Sequence, residues 1–311
     1  MPNEEEKLMS LNLRRRVPWW ARIAAKIALA RLPVPYRLWK RLRLFEHGDM
    51  DRPAVALSTL LEHARTAGFI DTSQPVPRFV EREDFAMLEI GPGDSLASGI
   101  AAHALGARRS ILIDAGNFAT REASHYRAIV AHLAQHGYSR PGPGPGSLDD
   151  VGPLLEACAV RYLTEGVDSL ATLPSSSIDF CFSNAVLEHI AKADFGRLAR
   201  EMRRVLRPDG VCVHRVDFMD HLGGGLNNLR FSEETWEGAL FAKSGFYTNR
   251  IRPQAMRELF EAAGFACEIT RVARWPAVPI NRRSLDPSFR DLSDEELRVF
   301  GIDFRLRHTA P

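Results

Sequence analysis

The stretch LEIGPGDSLASG, residues 88–99, places two glycines and two acids directly after a short apolar run. A turn of this kind between a strand and a helix brings backbone close to a ligand, because glycine adopts the tight conformations that other residues resist. A triphosphate loop requires GxxxxGK[ST], and no lysine follows these glycines. A dinucleotide fingerprint requires GxGxxG. Gly91 and Gly93 fill its first two positions, but Leu96 stands at the third and argues against a pyrophosphate drawn onto the helix. A nucleoside without phosphates asks for carboxylates instead. Glu89 and Asp94 flank the glycines, and Asp114, 21 residues beyond Gly93, can accept hydrogen bonds from ribose hydroxyls. Asp114 also suits the ribose of a dinucleotide, so it indicates a ribose rather than one cofactor.

Imidazole is the commonest general base, and position selects among ten histidines. His189 follows the apolar run IDFCFS and is expected to begin a helix. His221 lies in DFMDHLGGG, with Asp217 and Asp220 near enough to orient it. His221 is the preferred base, and His189 either shares that task or orders the pocket. His63, His125, His132 and His136 fall on predicted helices away from this edge. Cys158, Cys181, Cys212 and Cys267 are widely spaced among apolar neighbours with no CxxC pair, so free buried thiols are expected. Two acids and one histidine within five residues are weak metal evidence, and no metal is assigned.

These residues need a scaffold that brings strand ends together. Short apolar runs alternate with helical patterns: AMLEI at 86–90, SILID at 110–114, ACAVRYL at 157–163, IDFCFS at 178–183, VCVHRVDF at 211–218 and FACEITRV at 265–272, with a last strand near 301–308. That alternation predicts a mostly parallel sheet covered by helices on both faces. Helices are expected at 53–68, from Ser95 to Gly106, up to Gly137, from about 186 to 206, and at 253–264. SRPGPGPGS at 139–147, RPDG at 207–210 and HLGGGLNNLRFS at 221–232 read as loops or turns.

LEIGPGD, ILID, LPSSSIDFCFSNAVLEHI and REMRRVLRPDGVCV, in this order, resemble class I S-adenosylmethionine-dependent methyltransferases, over about residues 84–270. The similarity is closest to the group whose fourth strand runs into a "vLEHi" segment. Pro92 between the glycines and Asp209 in the turn depart from the usual pattern. The resemblance implies a Rossmann-like α/β fold with a seven-stranded sheet, its last strand inserted antiparallel beside the sixth. It implies S-adenosyl-L-methionine as cofactor, with Glu89, Gly91, Gly93 and Asp94 at the methionine end and Asp114 at the ribose. Val167 and Asp168 would stand near the adenine, and Ser183 and Asn184 would floor the site near the methyl group. The segment 219–252 would close over the acceptor, offering Asp217, Asn227, Asn228, Arg230, Trp236, Tyr247, Asn249 and Arg250 as polar and aromatic contacts. Asn184 is followed by Ala-Val rather than by the Pro-Pro-Tyr of amino-directed enzymes, which tilts the acceptor toward oxygen on a small or glycan-type molecule. The alternatives are an NAD(P)-dependent Rossmann oxidoreductase and a non-catalytic interaction protein on the same fold.

Charge divides the chain. Residues 1–48 hold eleven Lys or Arg and four Glu, a net +7, while the whole chain carries only +2. Residues 1–80 are therefore read as a basic, amphipathic N-terminal helical extension, and 81–311 as the methyltransferase domain. Trp19, Trp20 and the basic residues of 12–46 would suit an anionic membrane surface, although packing over the body explains the same pattern. No run reaches the roughly 20 apolar residues that span a membrane, and a cytoplasmic protein is expected, peripheral at the inner membrane face only if the basic arm docks there rather than on the body. The acidic body argues against a nucleic-acid partner.

Overall fold

The computed structural model describes residues 20–21, 50–138 and 149–309. Apart from the exposed Trp20 and its neighbour Ala21, the membrane reading of residues 12–46 lies outside these, as does the whole 139–147 loop.

Seven strands form one sheet: β1 (Ala86–Ile90), β2 (Arg109–Ile113), β3 (Val160–Leu163), β4 (Ile178–Asn184), β5 (Leu206–Asp217), β6 (Phe265–Arg274) and β7 (Val299–His308). Their order is β3-β2-β1-β4-β5-β7-β6. The first five run parallel, and β7 lies antiparallel between β5 and β6. This is the expected architecture, including the inserted last strand. All five residues of β1 are buried, as a strand covered on both faces requires.

From residue 50 on, the helices among the described residues are α1 (Pro53–Ala67), α2 (Ala97–Leu105), α3 (Ala123–Gln135), α4 (Val151–Ala157), α5 (Val167–Ala171), α6 (Lys192–Val205), α7 (Glu233–Glu237), α8 (Ala239–Ala242), α9 (Pro253–Ala262) and α10 (Asp294–Leu297). Strand alternation sends Met87, Phe180 and Phe182 to one face, where they meet Leu60 of α1, Leu105 of α2 and Tyr126 of α3. Leu88 and Cys181 point the other way, into a core with Met202 of α6 and Phe260 of α9. Helix α1 falls within the expected N-terminal extension, yet it shares one core with the sheet. Its Glu62 pairs with Arg215 of β5 (2.6 Å), and Arg215 also grips Asp303 of β7 through two bonds of 2.8 and 2.7 Å.

Between α1 and β1, Ile70–Asp71 pairs antiparallel with Arg78–Phe79. Two local expectations change. RPDG is not a separate turn but a bulge in β5: register passes from Ile178↔Leu206 to Phe180↔Val211. The bulge lets Arg207 reach Asp179, whose fully buried carboxylate also accepts from Arg82 (3.1 Å) and the Ala86 backbone N–H (2.8 Å). The 221–232 segment contains a short 3-10 turn, Asn227–Arg230. Among the described residues, no helix is long and apolar enough to cross a membrane.

Candidate functional site at the carboxyl ends of the strands

The glycine turn leaves β1 with Gly91 at φ +73° and Gly93 at φ +65°. Gly91 is required twice over. Beyond its left-handed backbone, a Cβ there would stand 2.5 Å from both Cγ atoms of Val186, the second residue after β4. The Gly91 N–H donates to the Ile113 carbonyl (2.7 Å), and the Gly93 N–H donates to Asp114 Oδ2 (3.0 Å). Asp114 Oδ1 accepts from Ala115 N–H (2.7 Å), so both oxygens help set the carboxylate's orientation. Leu96, at the dinucleotide motif's third glycine position, is a core residue.

Glu89 lies beneath the turn, 1% exposed, and accepts a hydrogen bond from Ser98 on α2. Burial pushes its carboxyl up to about 8; the Ser98 bond opposes this and the nearby Asp114 charge adds to it. An acid held this way suits a cationic neighbour. Asp94 is buried, and its carbonyl accepts from Thr120 N–H (2.9 Å). His125, expected far from this edge, instead bonds Ser95 Oγ through Nε2 (2.8 Å).

The remaining cofactor candidates separate. Val167 packs on the sheet core, and Gly166 before it donates to the Asp114 carbonyl (2.8 Å), which keeps this segment beside the proposed ribose acid. Asp168 pairs with Arg197 of α6 at the surface. Ser183 is fully buried and bonds His214 Nδ1 (2.8 Å), so it serves the sheet interior rather than a floor; burial lowers His214 to about 3 and keeps it neutral. Asn184 ends β4 with a buried Oδ1 that has no hydrogen-bond partner. Ala185 follows at φ +54°, an uncommon conformation for a residue with a side chain. Two acids at neighbouring strand ends, a turn that admits no Cβ, and an orphaned amide oxygen fit the methionine and ribose portions of S-adenosylmethionine.

The acceptor side differs most from expectation. His189 does not begin a helix. It closes a 3-10 turn, Leu187–His189, and α6 starts only at Lys192. Asn249 explains the break: its Nδ2 donates to the carbonyls of Leu187 (2.8 Å) and Ile190 (3.0 Å). His189 Nδ1 lies 2.9 Å from the Tyr247 carbonyl, and its ring meets that of His221 edge-on, centroids 4.8 Å apart. Asp220 does not orient His221 with its carboxylate, whose bonds run to Leu222 N–H, Asn227 N–H and Asn227 Nδ2. Asp217 accepts from Met219 N–H (2.8 Å).

Glu188 was not singled out from the sequence. It is 3% exposed, and neither carboxylate oxygen meets a donor at full hydrogen-bond geometry, although the Glu188 and Asp217 backbone N–H groups lean toward it. Burial and the Asp217 charge hold it well above the ordinary carboxylate range. An acid inside the apolar run AVLEHI was the available signal. Glu188 and Asp217 line a cleft with Asn228, Thr248, Arg250 and Arg252. Its interior holds about 10 Å³ of water-accessible space, room for about one water molecule.

Most residues expected to grip an acceptor instead build the segment that carries them. Trp236 is fully buried among Leu222, Phe241, Phe246 and Tyr247, and its indole N–H donates to Thr248 O (2.7 Å). Tyr247 donates to Glu237 (2.8 Å). Arg250, at φ +57°, bonds the Phe231 carbonyl (2.6 Å) and Glu233 (2.8 Å). Asn228 donates to Thr248 Oγ1 (3.0 Å), and Arg230 donates to Asn227 (3.0 Å). These bonds give 219–252 its own small core and fasten it to the end of β4.

Residues 146–214 match a family model described as a methyltransferase domain. No curated protein matches the chain. Solved structures with a similar course include an S-adenosylmethionine-dependent methyltransferase from Mesorhizobium loti, at 16% identity and TM-score 0.39, covering 72% of this chain and 91% of that one. The YcgJ protein from Bacillus subtilis gives 15% and 0.42, covering 83% and 100%. A Burkholderia thailandensis 1,6-didemethyltoxoflavin-N1-methyltransferase gives 15% and 0.39, covering 85% and 80%. Likeness at this level carries no argument about what this chain acts on.

Proposed function

We propose that the chain is a class I S-adenosylmethionine-dependent methyltransferase and that it methylates a hydroxyl oxygen of a small or carbohydrate-like acceptor. The observation that carries this reading is the placement of two unlike half-sites around Val186. The glycine turn with Glu89 and Asp114 lies on one side, and the His189–His221 pair follows three residues further along. When bound, the cofactor supplies an electrophilic methyl group on a sulfonium. The chain's own work is then to hold an acceptor oxygen at attack distance, roughly 3–3.5 Å, and to relieve it of its proton. Asp114 orients the ribose end, and Glu89 favours positive charge above the turn. His221, with His189 against its ring, is the base assigned to the acceptor proton.

The acceptor class rests on the Asn-Ala-Val sequence after β4 and on this imidazole pair. Residues 12–46 are proposed to dock on an anionic membrane, which would suit a lipid-linked acceptor. Failure to co-sediment with anionic vesicles at low salt would remove that part.

Calorimetric titration with S-adenosylhomocysteine, with NADH as control, tests the cofactor half. Micromolar binding that weakens about 10–100-fold in Asp114→Ala supports it, as expected for losing a charge-assisted hydrogen bond. NADH binding in its place would move the chain to oxidoreductase chemistry, and no binding by folded protein would leave a non-catalytic scaffold. Methylation assays on hydroxyl and amine acceptors, with His221→Ala alongside, test the oxygen assignment. Methyl transfer to amines alone overturns it.

A further inference from the structure

Glu188, His189 and His221 bring one carboxylate oxygen and two imidazole nitrogens within 4.8 Å of one another. We propose that these three side chains form a site for a divalent transition-metal ion of the zinc, cobalt or nickel type. Three features select it over a chance cluster. Both Glu188 oxygens are buried with no donor at full hydrogen-bond geometry, the Glu188 and Asp217 backbone N–H groups only leaning toward them, and a bound cation would satisfy such a carboxyl group. His189 Nδ1 faces the Tyr247 carbonyl, so that nitrogen carries the proton and Nε2 keeps its lone pair, the tautomer a metal ligand needs. The Asn249 N–H donates to the Glu188 carbonyl (2.7 Å), so backbone from 247–249 positions both ligands.

The donor set narrows the ion. Two imidazoles and one carboxylate suit borderline metals, whereas magnesium and calcium prefer all-oxygen sites. Three protein ligands leave a fourth position for another group, the pattern of catalytic rather than structural zinc. The acids beside His221 in sequence are not the ligands. The Asp220 carboxylate holds its own loop together, and Asp217 accepts from Met219 N–H. Glu188 comes instead from the strand-end turn, so the ion would tie 219–252 to the β4 edge through His221. On the proposed function, on which this clause rests, a bound ion would acidify the acceptor hydroxyl, so that His189 and His221 would serve proton removal as its ligands, in place of the metal-free base role given to His221 above.

The test is titration of the full, reduced, chelator-stripped chain with cobalt(II) chloride alone, followed by visible absorption, with zinc chloride calorimetry in parallel. Neither cofactor nor acceptor is present, so failure here leaves methyl transfer standing, and failure of methyl transfer leaves the metal site standing. The expected result is one equivalent bound at micromolar affinity or tighter, with visible bands of nitrogen and oxygen ligation and no thiolate charge transfer. His189→Ala and His221→Ala should each weaken binding by more than about 100-fold, beyond the usual cost of losing an outer-shell partner. Glu188→Gln, which preserves side-chain shape, should do the same with an unchanged circular dichroism spectrum. A second cluster, Cys181, Cys212 and His214, lies inside the sheet and provides the counter-test. Thiolate bands abolished by Cys181→Ser would assign the metal there and overturn the proposal. No binding, or binding that survives the paired His189→Ala/His221→Ala change, would overturn it equally.

Discussion

Replacing Glu89 with Gln should remove a steep pH dependence from the protein's stability. In the unfolded chain this carboxyl ionises near 4.5, and in the fold near 8. Between those values the folded protein keeps a proton that the unfolded chain has lost. Stability from this group is therefore fully present below 4.5, falls as pH rises, and levels off above about 8. At about 1.4 kcal/mol per pH unit, the whole loss amounts to about 5 kcal/mol. Gln cannot ionise, so the variant lacks the slope. Urea unfolding of both proteins at pH 5, 6.5 and 8 should show the wild type losing ground to Glu89→Gln by about 1.4 kcal/mol per unit. Cofactor binding supplies a second readout. If the ammonium of S-adenosylhomocysteine favours the ionised carboxylate, binding at pH 7 releases close to one proton in the wild type and none in the variant. Calorimetry in two buffers of different ionisation enthalpy measures that release. Parallel stability profiles would refute the assignment of Glu89 as a proton-bearing acid. A wild type that releases no proton would refute its role toward the ammonium.

Gly91→Ala should cost about 2–4 kcal/mol, from its left-handed backbone and the collision with Val186, and should abolish S-adenosylhomocysteine binding; adding Val186→Ala should recover part of the stability. Asp179→Ala should cost about 3 kcal/mol in urea unfolding with an unchanged m-value, since it strands the Ala86 N–H and two arginines at the amino ends of the strands. Trp236→Ala should loosen 219–252 by about 3–5 kcal/mol, seen as faster amide exchange from 233 to 248, while cofactor binding survives. Loss of cofactor binding in that variant would show that the segment and the glycine turn are not separable.

What the sequence disclosed follows the range of the forces involved. Buried parallel strands are short apolar runs, and Gly106 ends α2 in the left-handed conformation, so strand positions and this helix end were visible residue by residue, whereas the inserted last strand came from the family resemblance. The glycine turn and Asp114 were visible because backbone conformation and strand-end position depend on near neighbours. The acceptor side was not. A helix from 186 is a sound local expectation, and it fails because the Asn249 amide, about 60 residues away, captures two carbonyls the helix would have used. Asn228, Asn249 and Arg250 looked like groups awaiting a ligand. Polar side chains that satisfy buried carbonyls have the same composition as those that grip a substrate, and only packing separates them. Glu188 escaped notice for the converse reason, because an acid among apolar residues reads as surface until its burial is seen.

The Arg215 bridge has a bearing on how the chain is made. Glu62 belongs to the first helix of the sheet's core and Asp303 to its last strand, and both close on one side chain in β5. During synthesis Glu62 emerges 153 residues before its partner Arg215, and about 240 before Asp303 completes the bridge. Until β7 arrives, β5 and β6 each present an unpaired edge, a template for pairing with other chains. The nascent protein therefore depends on its final strand to become safe from aggregation. Chains that stop before Val299 should accumulate in inclusion bodies rather than as a shortened soluble domain.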